Sequence, residues 1–209
     1  MNFNCSKLVL RTGTITSLLL LTGCATVDEA YFLDTDTKAN VFVAAGNPQI
    51  KKIAILPFKA PTDLIGGAVA DIFVTEFLRT SQYDILERSR MSQVLSEAEL
   101  ALSGVSAAKA TEIGNMLGAD AVVLGTVDEY TKVKHGWHED ALIGMTARMI
   151  ECKSGQIIWS VDLAKRADDK NTTLSEHTRT VAHEMVAALY RKWREHKQKD
   201  DPRHGETQL

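Results

Sequence analysis

The chain of 209 residues is 44% apolar, enough for one hydrophobic core of ordinary domain size. Its formal charge of −3 becomes −5 once residues 1–23 are removed, because Lys7 and Arg11 leave and no acidic residue does. So mild an acidic balance argues against nucleic acid as a partner, since phosphate binding needs clustered Lys and Arg.

The first segment reads as an export signal. Basic Lys7 and Arg11 precede an apolar run from Ile15 to Leu21, and small residues then lead to a thiol in Leu21-Thr22-Gly23-Cys24. A membrane-spanning helix needs about 18 consecutive apolar residues. This run is shorter and is flanked or broken by Arg11, Thr14, Thr16 and Ser17. The expectation is therefore a lipoprotein signal over residues 1–23, cleaved between Gly23 and Cys24. Diacylglycerol on the Cys24 sulfur plus an acyl group, such as palmitate, on its freed amine would supply the two or more chains that stable anchoring requires. Ala25, in place of a retaining aspartate, directs the expectation to the periplasmic face of the outer membrane. With Cys5 leaving with the signal and Cys24 consumed by lipid, Cys152 has no disulfide partner. It must be buried or slow to react if it is to survive outside the cytoplasm.

Residues 24–47 read as a lipidated tether with two apolar clusters able to dock, Tyr31-Phe32-Leu33 and Val41-Phe42-Val43. Fully extended, roughly 23 residues at about 3.3 to 3.6 Å each would reach some 75 to 80 Å. Asn47-Pro48 marks a turn into the folded domain, expected over residues 48–195. Lys51 to Phe58 is a short, nearly continuous apolar strand of the doubly buried kind. Thr62 or Asp63 can cap the next helix, which aligns Ile65, Val69, Ile72, Phe73 and Phe77. Tyr83 to Leu86 is a second strand. A helix from near Ser89 follows with Met91, Val94, Leu95, Ala98 and Leu102. After Ser103-Gly104, a third helix is capped by Ser106, buries Ala110, Ile113 and Leu117, and stops at Gly118. Ala121 to Gly125 is a second central strand, so the chain reads as an α/β protein with a single open mixed sheet and flanking helices.

Thr146 to Ile150 and Ile157 to Leu163 alternate and are joined by Lys153-Ser154-Gly155, the pattern of an antiparallel hairpin. Trp159, Val161 and Leu163 share one face of it, with Ser160 and Asp162 on the other. A final helix from Leu174 to about Trp193 aligns Val181, Met185, Leu189 and Trp193. Residues 196–209 form a charged tail.

Catalytic chemistry is not legible, and neither a catalytic residue, a cofactor nor an enzyme activity is expected. Gly66-Gly67 lacks a following Lys-Ser or Lys-Thr and belongs to no GxGxxG, so packing explains it better than phosphate binding. His135, His138 and Glu139 lack the Cys or Asp placement of a metal site and read as a solvated turn. His177 and His183 are six residues apart, off the four-residue spacing that shares a helix face. Glu87-Arg88 reads as a strand end entering a helix, with a charge pair at the edge. No Ser, His and Asp set has a context such as GxSxG. Trp137, in a loop between His135 and His138, is the candidate partner contact, since aromatic residues anchor interfaces. The alternative is a ring folded back onto the sheet edge.

Four segments in order resemble one family. They are Ile53-Ala54-Ile55-Leu56-Pro57-Phe58, Tyr83-Asp84-Ile85-Leu86-Glu87-Arg88, Leu117-Gly118-Ala119-Asp120-Ala121-Val122-Val123-Leu124-Gly125-Thr126-Val127, and the hairpin Met149 to Trp159. Together, from about Lys51 to Leu189, they resemble the CsgG-like lipoproteins, which include the curli-secretion lipoprotein and outer-membrane lipoprotein activators of penicillin-binding proteins. The resemblance implies an α/β fold like anticodon-binding domains and a periplasmic body that acts by binding proteins, without catalysis. It also carries an alternative, an oligomeric secretion channel to which each subunit contributes membrane hairpins. Such strands need about 9 to 11 alternating residues. The two places for them here, Tyr130 to Asp140 and Arg166 to Thr173, are short and polar. The expectation is an assembly, secretion-accessory or regulatory module without its own channel, held by the Cys24 lipid. It binds an envelope protein or further copies of itself. A periplasmic hydrolase or metal binder is a third, weaker reading.

Overall fold

The computed structural model describes residues 32, 38–45, 49–94 and 107–199, apart from the side chains of 94, 135 and 196–199. Within these, strands β1 (Asn40–Val43), β2 (Lys52–Ile55), β3 (Asp84–Leu86), β4 (Ala121–His135), β5 (His138–Glu151) and β6 (Ile157–Arg166) form one sheet in the order β1-β6-β5-β4-β2-β3. β2 runs parallel to β3 and β4, while β4, β5, β6 and β1 pair antiparallel. The open mixed sheet with flanking helices is the expected architecture.

Each element follows from local chemistry. Ile53 and Ile55 of β2 enter one core, while Ala54 and the following Leu56 enter another on the opposite face. That explains why the segment is apolar without alternation. Helix α1 (Asp63–Thr80) starts where Thr62 Oγ1 accepts the Ile65 amide at 3.3 Å. It ends at Ser81, in the left-handed region at φ 51°. Val69, Phe73 and Phe77 are buried along it. Helix α2 (Arg88–Val94) buries Met91, and α3 (Ala107–Met116) buries Ala110 and Ile113 before Gly118 at φ +68°. Leu95, Ala98, Leu102, Ser103-Gly104 and the Ser106 cap lie outside the described residues. Helix α4 (Leu174–Lys199) opens with a capping box: the Thr173 amide donates to Glu176 Oε2 at 2.9 Å, and the Glu176 amide to Thr173 Oγ1 at 3.2 Å.

The larger core lies on the sheet face covered by α1 and α4, with Phe73, Phe77, Trp159, Met185 and Leu189 at its centre. A smaller one lies under α2 and α3 on the other face. Trp159, Val161 and Leu163 point into the first core while Ser160 is half-buried and Asp162 exposed, as the alternation predicts.

Three boundaries differ from the sequence reading. Val41-Phe42-Val43, placed in the tether, is the edge strand β1, which pairs Asn40 with Asp162 and Val43 with Trp159 and turns Val41 and Val43 toward the core. Helix α4 runs six residues past Trp193, because Arg, Lys, Glu and Gln propagate a helix without apolar burial. The segment Tyr130 to Asp140, expected as a loop, is instead the outer half of a long β4–β5 hairpin that pairs as far as His135 with His138. Its backbone ladder needs no apolar side chains, so apolar periodicity does not reveal it. Gly125 also obscured the strand's length. It lies inside β4 because a Cβ there would sit 2.1 Å from the Phe58 ring.

Candidate interaction surfaces

β4 and β5 shift register between Val127 and Glu129, and beyond Thr131 and Leu142, where β5 no longer pairs with β6, they continue as a narrow two-stranded ribbon with Lys132, Lys134 and Glu139 exposed. Gly136 turns its tip at φ +64°, the first position of a two-residue turn where glycine supplies positive φ. Trp137 occupies the second position with its side chain fully exposed (105%). The ring is not folded back onto the sheet edge. His138 lies 3.8 Å from buried Asp140. Among the described residues no three His, Cys, Asp or Glu side chains converge as metal ligands.

A second surface lies where α1 and α4 pack. A cleft of about 450 Å³ there is lined by Ile72, Glu76, Arg79, Arg179 and His183, among others. Glu76 is buried and accepts from His183 Nδ1 at 3.0 Å, with Arg79 3.9 Å from its other oxygen. Phe32 docks on this face. It is completely buried, its ring centroid 5.8 Å from that of His183 and 5.0 Å from that of Tyr190. Nearby, Lys165 donates to Glu184 at 2.8 Å, and this bond raises the ammonium's pKa against the opposing effect of burial. His177 Nε2 lies 2.9 Å from the Lys165 carbonyl. His177 and His183 of α4 thus serve separate partners and do not converge.

The family-like segment Gly118-Ala119-Asp120 has a structural role that sequence alone did not reveal. Asp120 Oδ2 accepts the Lys51 and Lys52 amides at 3.0 and 2.9 Å. Its own amide donates to the Lys52 carbonyl at 2.8 Å, and its carbonyl accepts from the Cys152 amide at 2.9 Å. One residue thereby ties the entrance of β2, the start of β4 and the end of β5. The Lys52 and Lys51 amides hold its carboxyl below the ordinary 3.8. A carboxylate depressed in the folded state stabilises above its unfolded value, and that contribution disappears as pH falls through the folded value. Asp120→Asn is therefore expected to cost about 1 kcal/mol at pH 7, held to that size by solvent access. Denaturant titrations of both proteins should show the gap closing below about pH 4; a gap as wide at pH 3 as at pH 7 would refute this role.

Cys152 is buried and its thiol is pushed up to about 11, first by burial and then by the Asp120 and Glu151 charges. That suppresses the reactive thiolate, as the lone-thiol argument requires. Gly66 and Gly67 are packing glycines: a Cβ at the first would meet the Phe58 carbonyl oxygen at 2.0 Å, and one at the second the Arg88 guanidinium at 2.5 Å. Arg88 reaches back over α1 to Asp71 at 3.8 Å, while Glu87 accepts from Ser89 at 3.1 Å. The charge at this strand end therefore spans two helices, which adjacency in sequence did not show. Among the described residues no helix is long and apolar enough to cross a membrane. Gly23 and Cys24 lie outside those residues.

The family described as the curli production assembly/transport component CsgG matches residues 51–182. No curated protein matches the chain in sequence. Among solved structures, the PelC dodecamer from Paraburkholderia phytofirmans is similar at a TM-score of 0.53 and 16% identity, covering 73% of this chain and 96% of that one. The lipoprotein GNA1162 from Neisseria meningitidis is similar at 0.51 and 16% identity, covering 69% and 99%. At such identities the likeness is one of fold.

Proposed function

Because this chain belongs to the CsgG family, we propose that it is a lipid-anchored protein on the periplasmic face of the outer membrane that works by binding other proteins in a secretion or assembly machine of the envelope. The observation carrying this reading is the order of two signals: Leu21-Thr22-Gly23-Cys24 after a short apolar run, then a CsgG domain from residue 51. Cys24 takes the lipid and residues 1–23 are removed. A similar fold forms a dodecamer in PelC, which supports self-assembly here. Trp137, held clear of the domain at a hairpin tip, is the proposed contact with a partner or a neighbouring copy.

The natural protein should incorporate labelled fatty acid and fractionate with outer membranes, and Cys24→Ala should lose the label entirely. Unlabelled, unprocessed natural protein in the soluble fraction would end this reading. Crosslinking and native mass spectrometry of the purified lipoprotein should then give a closed oligomer or a defined complex that weakens with Trp137→Ala.

The channel reading has one observation in its favour, the β4–β5 hairpin being longer than its sequence suggests. Beyond the pairing with β6, however, the arms have about four residues each, Lys132 to His135 and His138 to Ala141, and between them carry Lys132, Lys134, Glu139 and Asp140, short of the 9 to 11 that a lipid-facing strand requires. Planar bilayers with the purified protein should stay silent; discrete conductance steps would reverse the preference.

A further inference from the structure

We infer that Phe32 is a clamp that shortens the lipid leash until it is smaller than the domain it holds, so that the α1–α4 face is kept toward the bilayer. This rests on the lipidation of Cys24 proposed above.

The argument begins with chain length. Phe32 follows Cys24 by eight residues, and its ring is fully buried against His183 and Tyr190 in the larger core. The eight residues that separate Phe32 from Cys24 can therefore span at most about 26 to 29 Å when taut. Without the clamp, the next fixed point is β1, which begins at Asn40, and the limit rises to about 53 to 58 Å. A domain of this size is about 40 Å across. A leash longer than that diameter lets the body present any side to the membrane, whereas a shorter one forbids orientations that put Phe32 on the far side. The face so directed carries exposed Arg79 and Arg179 at the cleft beside Phe32. Its occupant is accordingly an anionic phospholipid surface, which guanidinium groups bind through phosphate oxygens. The opposite sheet face, with exposed Phe42, Arg148 and Asp162, and the Trp137 hairpin are left for protein partners.

Full-length lipidated protein would first be checked by mass for its acyl chains and then placed in vesicles containing one-fifth phosphatidylglycerol and a nitroxide lipid. A fluorophore on Thr180→Cys, exposed at the same cleft, reports the α1–α4 face with both arginines kept, and one on Arg148→Cys reports the opposite face; natural Cys152 is buried and slow to label. Quenching at position 180 should exceed that at 148 severalfold. The difference should vanish with Phe32→Ala and survive with Phe32→Leu. It should also vanish when a flexible sixteen-residue insert lengthens the chain between Val27 and Asp28, a change that leaves every described contact in place. On supported bilayers, neutron reflectometry should show the protein layer of Phe32→Ala moved outward by roughly 6 to 7 Å, from flexible-chain scaling. Equal quenching of the two faces in the natural lipoprotein, or a difference indifferent to the insert, would overturn the clamp alone. Absence of acyl mass would overturn the anchoring reading along with it.

Discussion

Trp159→Ala is expected to remove about 3 to 5 kcal/mol of stability, a large share of what a domain of this size possesses. The indole is completely buried on β6, opposite Met149 of β5 on one side and Val43 of β1 on the other. Its ring stacks on Phe77 of α1 with centroids 5.7 Å apart, and Phe77 in turn touches Phe73, Tyr83 and Trp193. Truncation leaves a cavity bounded by the sheet on one side and helices on the other, neither of which collapses easily, so the cavity cost adds to the lost transfer energy. Trp159→Phe should cost far less. It keeps a ring, and it removes an indole N–H that is buried without a hydrogen bond of good geometry. The neighbouring Tyr83 hydroxyl, pushed up to about 12 by burial with Trp159 pulling weakly the other way, stays protonated and takes no charge in either variant. Urea denaturation of a soluble Cys24→Ser form measures both; a Trp159→Ala loss below about 1 kcal/mol would mean that the two layers are not held by this side chain.

The second large effect reverses an ordinary expectation. Glycine inside a helix usually costs about 0.5 to 1 kcal/mol relative to alanine, so Gly66→Ala in the first turns of α1 would normally stabilise. Here the added methyl would lie 2.0 Å from the Phe58 carbonyl oxygen and 3.1 Å from its carbon. Both are backbone atoms, and the segment is fixed further by the Phe58 amide donating to the Gly66 carbonyl at 3.1 Å. Relief requires the helix to move off the chain that follows β2, at a cost of about 3 kcal/mol or more. Gly67→Ala is the control: the atoms nearest its methyl belong to the end of the Arg88 side chain, at 2.5 Å, which can swing aside. Thermal unfolding should place Gly66→Ala well below both the natural protein and Gly67→Ala. If the two variants melt together, the close approach is not a constraint.

The legible parts of the fold share a cause. β2, the cap and apolar stripe of α1, the alternation of β6 and the stripe of α4 each expose a burial pattern that one element carries by itself. Trp159, Val161 and Leu163 are readable as one face because a strand alternates wherever it packs on one side. The surfaces proposed for function were less legible. Trp137 was visible as an aromatic among polar residues, but its full exposure depends on a backbone ladder between Lys132, Lys134 and their partners, which apolar periodicity does not record. Phe32 stood out only as part of an apolar trio; its docking on His183 and Tyr190 joins residues some 150 positions apart.

By itself, then, the amino-acid order determined which short segments bury apolar faces, where helices start, and the family to which the four matching segments belong. These are local properties, set by side-chain period and capping chemistry. Only the tertiary structure decided that Val41 to Val43 closes the sheet edge, that Asp120 ties three strands, that Arg88 answers Asp71, and that a phenylalanine eight residues from Cys24 lies in the core. Each depends on which distant backbone groups meet, and such meetings arise from packing two layers onto one sheet, a cooperative outcome that no single segment encodes.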